Sequence, residues 1–222
     1  MSLAVVNLSK AAERIDRPFA LVTLGLLGDL SVNVYMCQGR LDWHKHVDED
    51  ELFLVHEGMV QLETERGPVT LHPEECAVVP KGIGHRSGSA LRSVVLLVRA
   101  QVFSERKNGH RRLHATTDDP RMEKFRLSRA LAEPTVRDFD PVPITGIEAF
   151  GLTVQRAKGA GPRLTTPRGG ALLFSLRGAA LVETSGGGAR LEMGELVLLP
   201  SEEAYTLSAP ETAVVVRLQA VE

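Results

Sequence analysis

The sequence predicts an all-β protein, two small barrels or sandwiches in tandem, each opened by a short helix. Three observations carry that reading. An internal repeat spans almost the whole chain, short apolar or alternating runs are broken by glycine and proline, and a charged stretch without apolar period separates the copies. The repeat has a constant offset of 120 residues (159 − 39): Gly39 falls on Gly159, Gly58 on Gly178, Leu71 on Leu191, Pro80 on Pro200 and Val94-Val95 on Val214-Val215. Upstream, Arg17 and Phe19 match Arg137 and Phe139. The register then slips by one, so that Leu8-Ser9-Lys10-Ala11 matches Leu127-Ser128-Arg129-Ala130 and predicts a short helix capped by Ser9 or Ser128.

Within the first copy the strand-like runs are 32–36, 52–55, 60–62, 69–71, 77–79 and 93–98. Many short strands with turn residues between them indicate a sandwich or barrel. Residues 104–122, rich in Arg, Lys, His and Asp, read as a linker, which divides the chain into domains at 1–103 and 123–222. The basic pairs Arg106-Lys107 and Arg111-Arg112 are followed by Asp118 and Asp119, the pattern of a solvated linker.

Composition excludes several partners. With 222 residues, 43% hydrophobic and 24% charged, and a net charge of −2, the chain has the balance of a soluble globular protein and no field to attract nucleic acid or anionic membrane. No apolar run approaches the length of a membrane span. The run from Phe19 to Leu27 follows Lys10, Arg14 and Arg17, but Glu13 and Asp16 spoil the positive segment and no small-x-small cleavage site follows. Cys37 and Cys76 form no C-x-x-C pair and no disulfide framework, which points to a reducing, cytoplasmic compartment and buried thiols.

The chemistry lies in Gly39-Arg-Leu-Asp-Trp-His44-Lys-His46-Val-Asp-Glu-Asp-Glu51 and in Pro80-Lys-Gly82-Ile-Gly-His85. Two histidines one residue apart project from the same face of a strand. After an acidic turn Glu51 opens a second strand, and a Pro/Gly turn brings back a third imidazole at His85. Three imidazoles and one carboxylate suit a divalent transition metal, Fe, Mn, Ni, Zn or Cu, rather than Ca or Mg. At the offset of 120 these positions read Leu164, Thr166, Ala171 and Tyr205, and all seven histidines precede the second copy. One metal per chain is therefore expected. Asn33 and Tyr35 share a face that either lines the pocket or packs outward; Phe53 has the inward parity of Glu51. Thr166 and Tyr205 either make a polar pocket in the second barrel or fill its core. Trp43 has the opposite parity to the ligands, and His56 the opposite parity to Glu51.

These two segments resemble the paired motifs of the cupin superfamily, G-x(5)-H-x-H-x(3,4)-E-x(6)-G and G-x(5)-P-x-G-x(2)-H-x(3)-N. Three positions depart from the pattern: Gly39 stands one residue nearer His44, Glu74 replaces the glycine opening the second motif, and Ser89 replaces the closing Asn. None of the three is an expected ligand. The resemblance covers both copies and implies tandem duplicated jelly-roll barrels, the first holding a metal inside near one mouth and the second without it. The chain also resembles the bacterial two-barrel proteins of the mannose-6-phosphate-isomerase-like group. The implied partner is a small molecule; the barrels are expected to pack as an internal pseudo-dimer, with further homo-oligomers open. Two functions fit, a metal-dependent oxygenase, decarboxylase or isomerase of a small oxygenated organic molecule, or a non-catalytic barrel that binds or senses a metal or small ligand.

Overall fold

The computed structural model describes residues 3–101 and 120–221, so most of the expected linker, including its basic pairs, lies outside the described residues. The regular structure is almost all strand, with two short helices. The first part of the chain forms β1 (Val5–Asn7), helix α1 (Leu8–Glu13), β2 (Leu21–Leu27), β3 (Leu30–Arg40), β4 (Glu51–Glu57), β5 (Val60–Thr64), β6 (Val69–Leu71), β7 (Glu75–Val79) and β8 (His85–Ala100). The rest forms β9 (Phe125–Arg126), helix α2 (Leu127–Ala130), β10 (Val142–Ile147), β11 (Phe150–Thr165), β12 (Ala171–Arg177), β13 (Ala180–Thr184), β14 (Gly187–Leu191), β15 (Glu195–Leu199) and β16 (Ala204–Ala220).

The chain divides into two compact units. The N-terminal unit comprises Ser9–Leu24 and Asp29–Arg126; the C-terminal unit comprises Met1–Leu8, Gly25–Gly28 and Leu127–Glu222. Each has one eight-stranded sheet. In the N-terminal unit the order is β2-β3-β8-β4-β7-β9, with the β5–β6 hairpin attached to β8; in the C-terminal unit it is β10-β11-β16-β12-β15-β1, with β13–β14 attached to β16. The strand β9 thus lies beside β7 in one sheet as β1 lies beside β15 in the other.

The long strands organise both units. One stretch of β8, Val94–Arg99, pairs with β4, and an earlier stretch, His85–Gly88, pairs with β5. The sheet therefore folds over between them, and a single apolar cluster takes Phe53, Val55, Ala77 and Val79 from one side and Val60, Leu62 and Leu71 from the other. Among the described residues the ladders do not close, so the expected barrels are not completed by backbone hydrogen bonds: the path ends at β2 and β9 in one unit and at β10 and β1 in the other. Residues 94–98 of β8 are buried on both faces, which is why that strand reads as a continuous apolar run instead of an alternation.

One local expectation needs correction. Helix α1 begins at Leu8, so Ser9 sits inside its first turn; its hydroxyl donates to Glu57 and meets His56 Nε2 at 3.1 Å instead of capping the helix. Ser128 likewise falls inside α2. At the motif glycine replaced by Glu74, the backbone keeps the left-handed conformation without the glycine: φ is 69° at Glu74 and 84° at Gly194. The same hydrogen bond explains both, from Glu74 N to Val55 O at 3.1 Å and from Gly194 N to Ser175 O at 2.9 Å.

Candidate metal centre

His44, His46, Glu51 and His85 come together in the N-terminal unit, each offering one ligand atom within 4.8 Å of the others. Backbone pairing sets this up. His44 and His85 form an isolated antiparallel bridge, with N–O distances of 3.0 and 2.8 Å. Glu51 opens β4 directly opposite Arg99 of β8. The acidic turn is pinned by Asp50, which accepts from Lys81 N at 2.8 Å, and by His46 O, which accepts from Gly82 N at 2.6 Å. The Pro80-Lys-Gly82 turn is thereby locked against the His-x-His segment.

The outer nitrogen of each imidazole is occupied. His44 Nδ1 lies 2.9 Å from Asp42 O and His85 Nδ1 lies 3.1 Å from Ile83 O; a carbonyl only accepts, so both Nδ1 atoms carry the proton. His46 Nδ1 lies 2.8 Å from Glu49 Oε1. All three rings therefore turn Nε2 inward, where Glu51 Oε2 is 2.9 Å from His85 Nε2 and Oε1 is 3.4 Å from His46 Nε2. With the imidazoles neutral, their Nε2 lone pairs and the carboxylate are all acceptors facing one another, which either a proton shared between His85 and Glu51 or a metal ion at the centre relieves. Metal–ligand distances near 2.1 Å separate adjacent donors by about 3 Å and opposite donors by about 4.2 Å, close to the spread seen. The residues fit a transition metal ion.

Electrostatics follow from the same contacts. Burial pushes the His44 pKa below its ordinary value, toward the neutral form a ligand needs. The bond to Glu49 raises that of His46 against the effect of burial. Burial alone would raise the Glu51 pKa, but the His85 hydrogen bond and the charges of His46, His85 and Arg99 together carry it below the usual range.

The cluster opens onto a cavity of about 140 Å³ walled by Phe19, Tyr35, Phe53, Ser87, Leu97 and Arg99 among others. Tyr35 donates to Ser87 Oγ at 3.3 Å, and burial holds its hydroxyl well above the ordinary pKa. Phe53 meets the His85 ring edge-on at 6.0 Å between centroids. Asn33 does not line the cavity: it is buried, accepts from Thr23 Oγ1 at 2.8 Å and donates to Ser31 Oγ at 3.0 Å. Trp43 faces away, under the Arg86 guanidinium at 5.6 Å. Two residues went unnoticed in the sequence. Glu49 looked like one of three solvated acids but is 6% exposed and orients His46; Arg99 ends an apolar run and reaches Glu49 at 3.6 Å and Glu51 at 3.8 Å. Only the inward parity shared by 95, 97 and 99 hinted at the latter.

In the C-terminal unit, Thr166 is buried with its hydroxyl tied to the loop ahead of β16, donating to Pro200 O at 2.6 Å and accepting from Glu203 N at 2.9 Å. Tyr205 joins the core, and its hydroxyl accepts from Arg217 Nη1 at 3.3 Å.

No protein-family model matches the chain. The uncharacterized protein YdbB of Bacillus subtilis (strain 168) is 32% identical over 93 residues, 41% of this chain and 82% of that protein. Among solved structures, a cupin 2 conserved barrel domain protein from Leptotrichia buccalis matches with a TM-score of 0.72 at 10% identity, over 98% of this chain and 96% of its own. Salicylate 1,2-dioxygenase from Pseudaminobacter salicylatoxidans matches with a TM-score of 0.73 at 12% identity, covering 98% and 84%. The same enzyme's adducts with gentisate match at 0.73 and 14%, covering 98% and 80%. The fold is that of the cupins. The chain belongs to the family of the YdbB protein.

Proposed function

We propose that the N-terminal unit binds one divalent transition metal through His44, His46, Glu51 and His85, and that the chain is a metal-dependent enzyme acting on a small oxygenated organic molecule. The observation that carries this reading is the convergence, within 4.8 Å of one another, of three imidazole nitrogens, each ring oriented by a hydrogen bond at Nδ1, and the Glu51 carboxylate. Four protein donors would leave room on such an ion for a chelating substrate, and the ion would supply Lewis acidity or, if redox-active, oxygen activation. Around it, Glu49 holds the His46 ring, Arg99 offers a positive charge at the cavity wall, and Phe19, Phe53 and Leu97 exclude water from one side. Structural likeness to a salicylate dioxygenase supports an oxygenase over a decarboxylase or isomerase. We further read the two units as jelly-roll barrels descended from one duplicated domain, the second having lost the metal; their matching strand order and the offset of 120 support this. The two buried thiols, with pKa values pushed by burial to about 11 at Cys37 and about 12 at Cys76, fit a reducing cytoplasm. No described helix is long and apolar enough to cross a membrane.

A non-catalytic binding barrel is favoured by one observation: the cavity wall holds no carboxylate or imidazole outside the cluster, and the Tyr35 hydroxyl is held protonated. Oxygen uptake by iron-loaded protein, screened against aromatic and aliphatic hydroxyacids, separates the two. Substrate-dependent uptake lost in Glu51→Ala supports the enzyme; a metal-loaded protein that binds such acids without turnover supports the binding barrel.

A further inference from the structure

The C-terminal unit carries a second buried polar cluster, on strand positions that correspond to the metal cavity of the first. At the offset of 120, Arg217 stands for Leu97, Tyr205 for His85 and Gln155 for Tyr35. Arg217 is 9% exposed, Tyr205 2% and Gln155 1%. The ladder pairs Gln155 with Val215 and Thr153 with Arg217, so Gln155, Val215 and Arg217 share a face of the sheet; Val215 and Tyr205 place that face in the core. The guanidinium makes one hydrogen bond, Nη1 to the Tyr205 hydroxyl at 3.3 Å, and has no ion pair among the described residues. Its Nε and the Oε1 of Gln155 are both buried without a partner. A buried guanidinium N–H and a buried amide oxygen left without partners are unfavourable, so the cluster has hydrogen-bonding capacity to spare for a ligand.

We propose that the interior of the C-terminal unit binds a small organic monocarboxylate, whose two oxygens accept from the Arg217 fork. A guanidinium matches a carboxylate through two parallel hydrogen bonds. Tyr205 and Gln155 are neutral, and Tyr205 belongs to an apolar core with Leu173, Leu207 and Val215, which suits one negative charge on an apolar body better than a phosphate; Arg163 and Glu183 line a separate cavity beside Tyr205. A cavity of about 460 Å³ in the same unit is lined by Thr153, the cross-strand partner of Arg217, by Gln219, two residues along on the same face, and by Thr166, with no lysine or arginine; Arg217, Tyr205 and Gln155 lie beyond its lining. The unit that lacks the metal ligands thus carries a guanidinium as its interior positive centre.

The test uses full-length His85→Ala protein stripped of metal, so that the N-terminal cluster takes no part, with benzoate as probe and phosphate as control. Benzoate should bind saturably and raise the melting temperature by about 5 °C at about 100 times its Kd. In this background Arg217→Leu, which installs the residue found at position 97, should abolish the shift, and Arg217→Lys should weaken binding at least about tenfold through loss of the fork. Should Arg217→Leu fail to fold, Tyr205→Phe keeps the ring and removes only the hydroxyl that orients the guanidinium; affinity should then fall about tenfold. No saturable benzoate binding, undiminished binding in these variants, or phosphate bound in preference to benzoate would overturn the proposal.

Discussion

The two units enclose the same apolar frame around different polar centres. Val60, Leu62, Leu71, Val79 and Val95 line one interior, and Ala180, Val182, Leu191, Leu199 and Val215 the other, none more than 2% exposed. At one end of that frame the N-terminal unit has His44, His46, Glu51 and His85, while the C-terminal unit has Leu164, Thr166, Ala171 and Tyr205. A frame that is complete with either set does not depend on the histidines for its folding. The difference therefore isolates the cluster as chemistry laid over architecture.

The comparison breaks first if the frames are not equivalent. Leu71 and Leu191 are both fully buried at matching positions, and Leu71→Ala and Leu191→Ala should each cost about 2 to 5 kcal/mol in metal-free protein, measured by denaturant unfolding. A large cost in one and almost none in the other would show that the units are not built alike.

Next in size is the support given to His46, which has no counterpart in the C-terminal unit because Glu49 corresponds to Gly169. Glu49→Gln should weaken metal binding roughly 10 to 100-fold while leaving the fold unchanged, as read by chelator competition. Unaltered affinity would reduce Glu49 to a bystander.

Acid sharpens the same contrast. Histidines must shed their protons to bind metal, and the raised pKa of His46 means that it regains its proton first as pH falls, above about 6.5, whereas burial keeps His44 neutral longer. Metal affinity should begin to fall above pH 6.5 and fall more steeply below it, and competition titrations between pH 5 and 8 would expose a flat response as a contradiction.

The smallest expected effect concerns backbone conformation. Glu74 and Glu202 hold φ of 69° and 58°, where their counterparts are Gly194 and Gly82 at 84° and 82°. Glu74→Gly and Glu202→Gly should each stabilise by about 0.5 to 1 kcal/mol, because glycine adopts that region without steric cost. Destabilisation in thermal melts would mean that the glutamate side chains contribute more than the backbone loses.

Much of this was readable in the chain, and for identifiable reasons. His44 and His46 share strand parity, Glu51 starts the next strand, and a Pro/Gly turn returns His85, so the cluster follows from period two and turn chemistry. Glu49 was not legible, since one acid in a run of four looks solvated and only tertiary folding selects which carboxylate turns inward. Arg217 was obscured by the apolar run around it, 213–218, where burial on both faces erases the alternation that assigns a side. Asn33 had the right parity for the cavity, yet hydrogen bonds to Thr23 and Ser31 hold it elsewhere, a contest between neighbouring strands that no local pattern encodes.

The most direct test is the metal content of the protein purified from unsupplemented cells, measured by elemental analysis beside His44→Ala, His85→Ala and His56→Ala. The account predicts one transition metal ion per chain in the native protein and in His56→Ala, and almost none in the other two after mild chelation. Two ions per chain, or full occupancy retained in His44→Ala and His85→Ala, would contradict it.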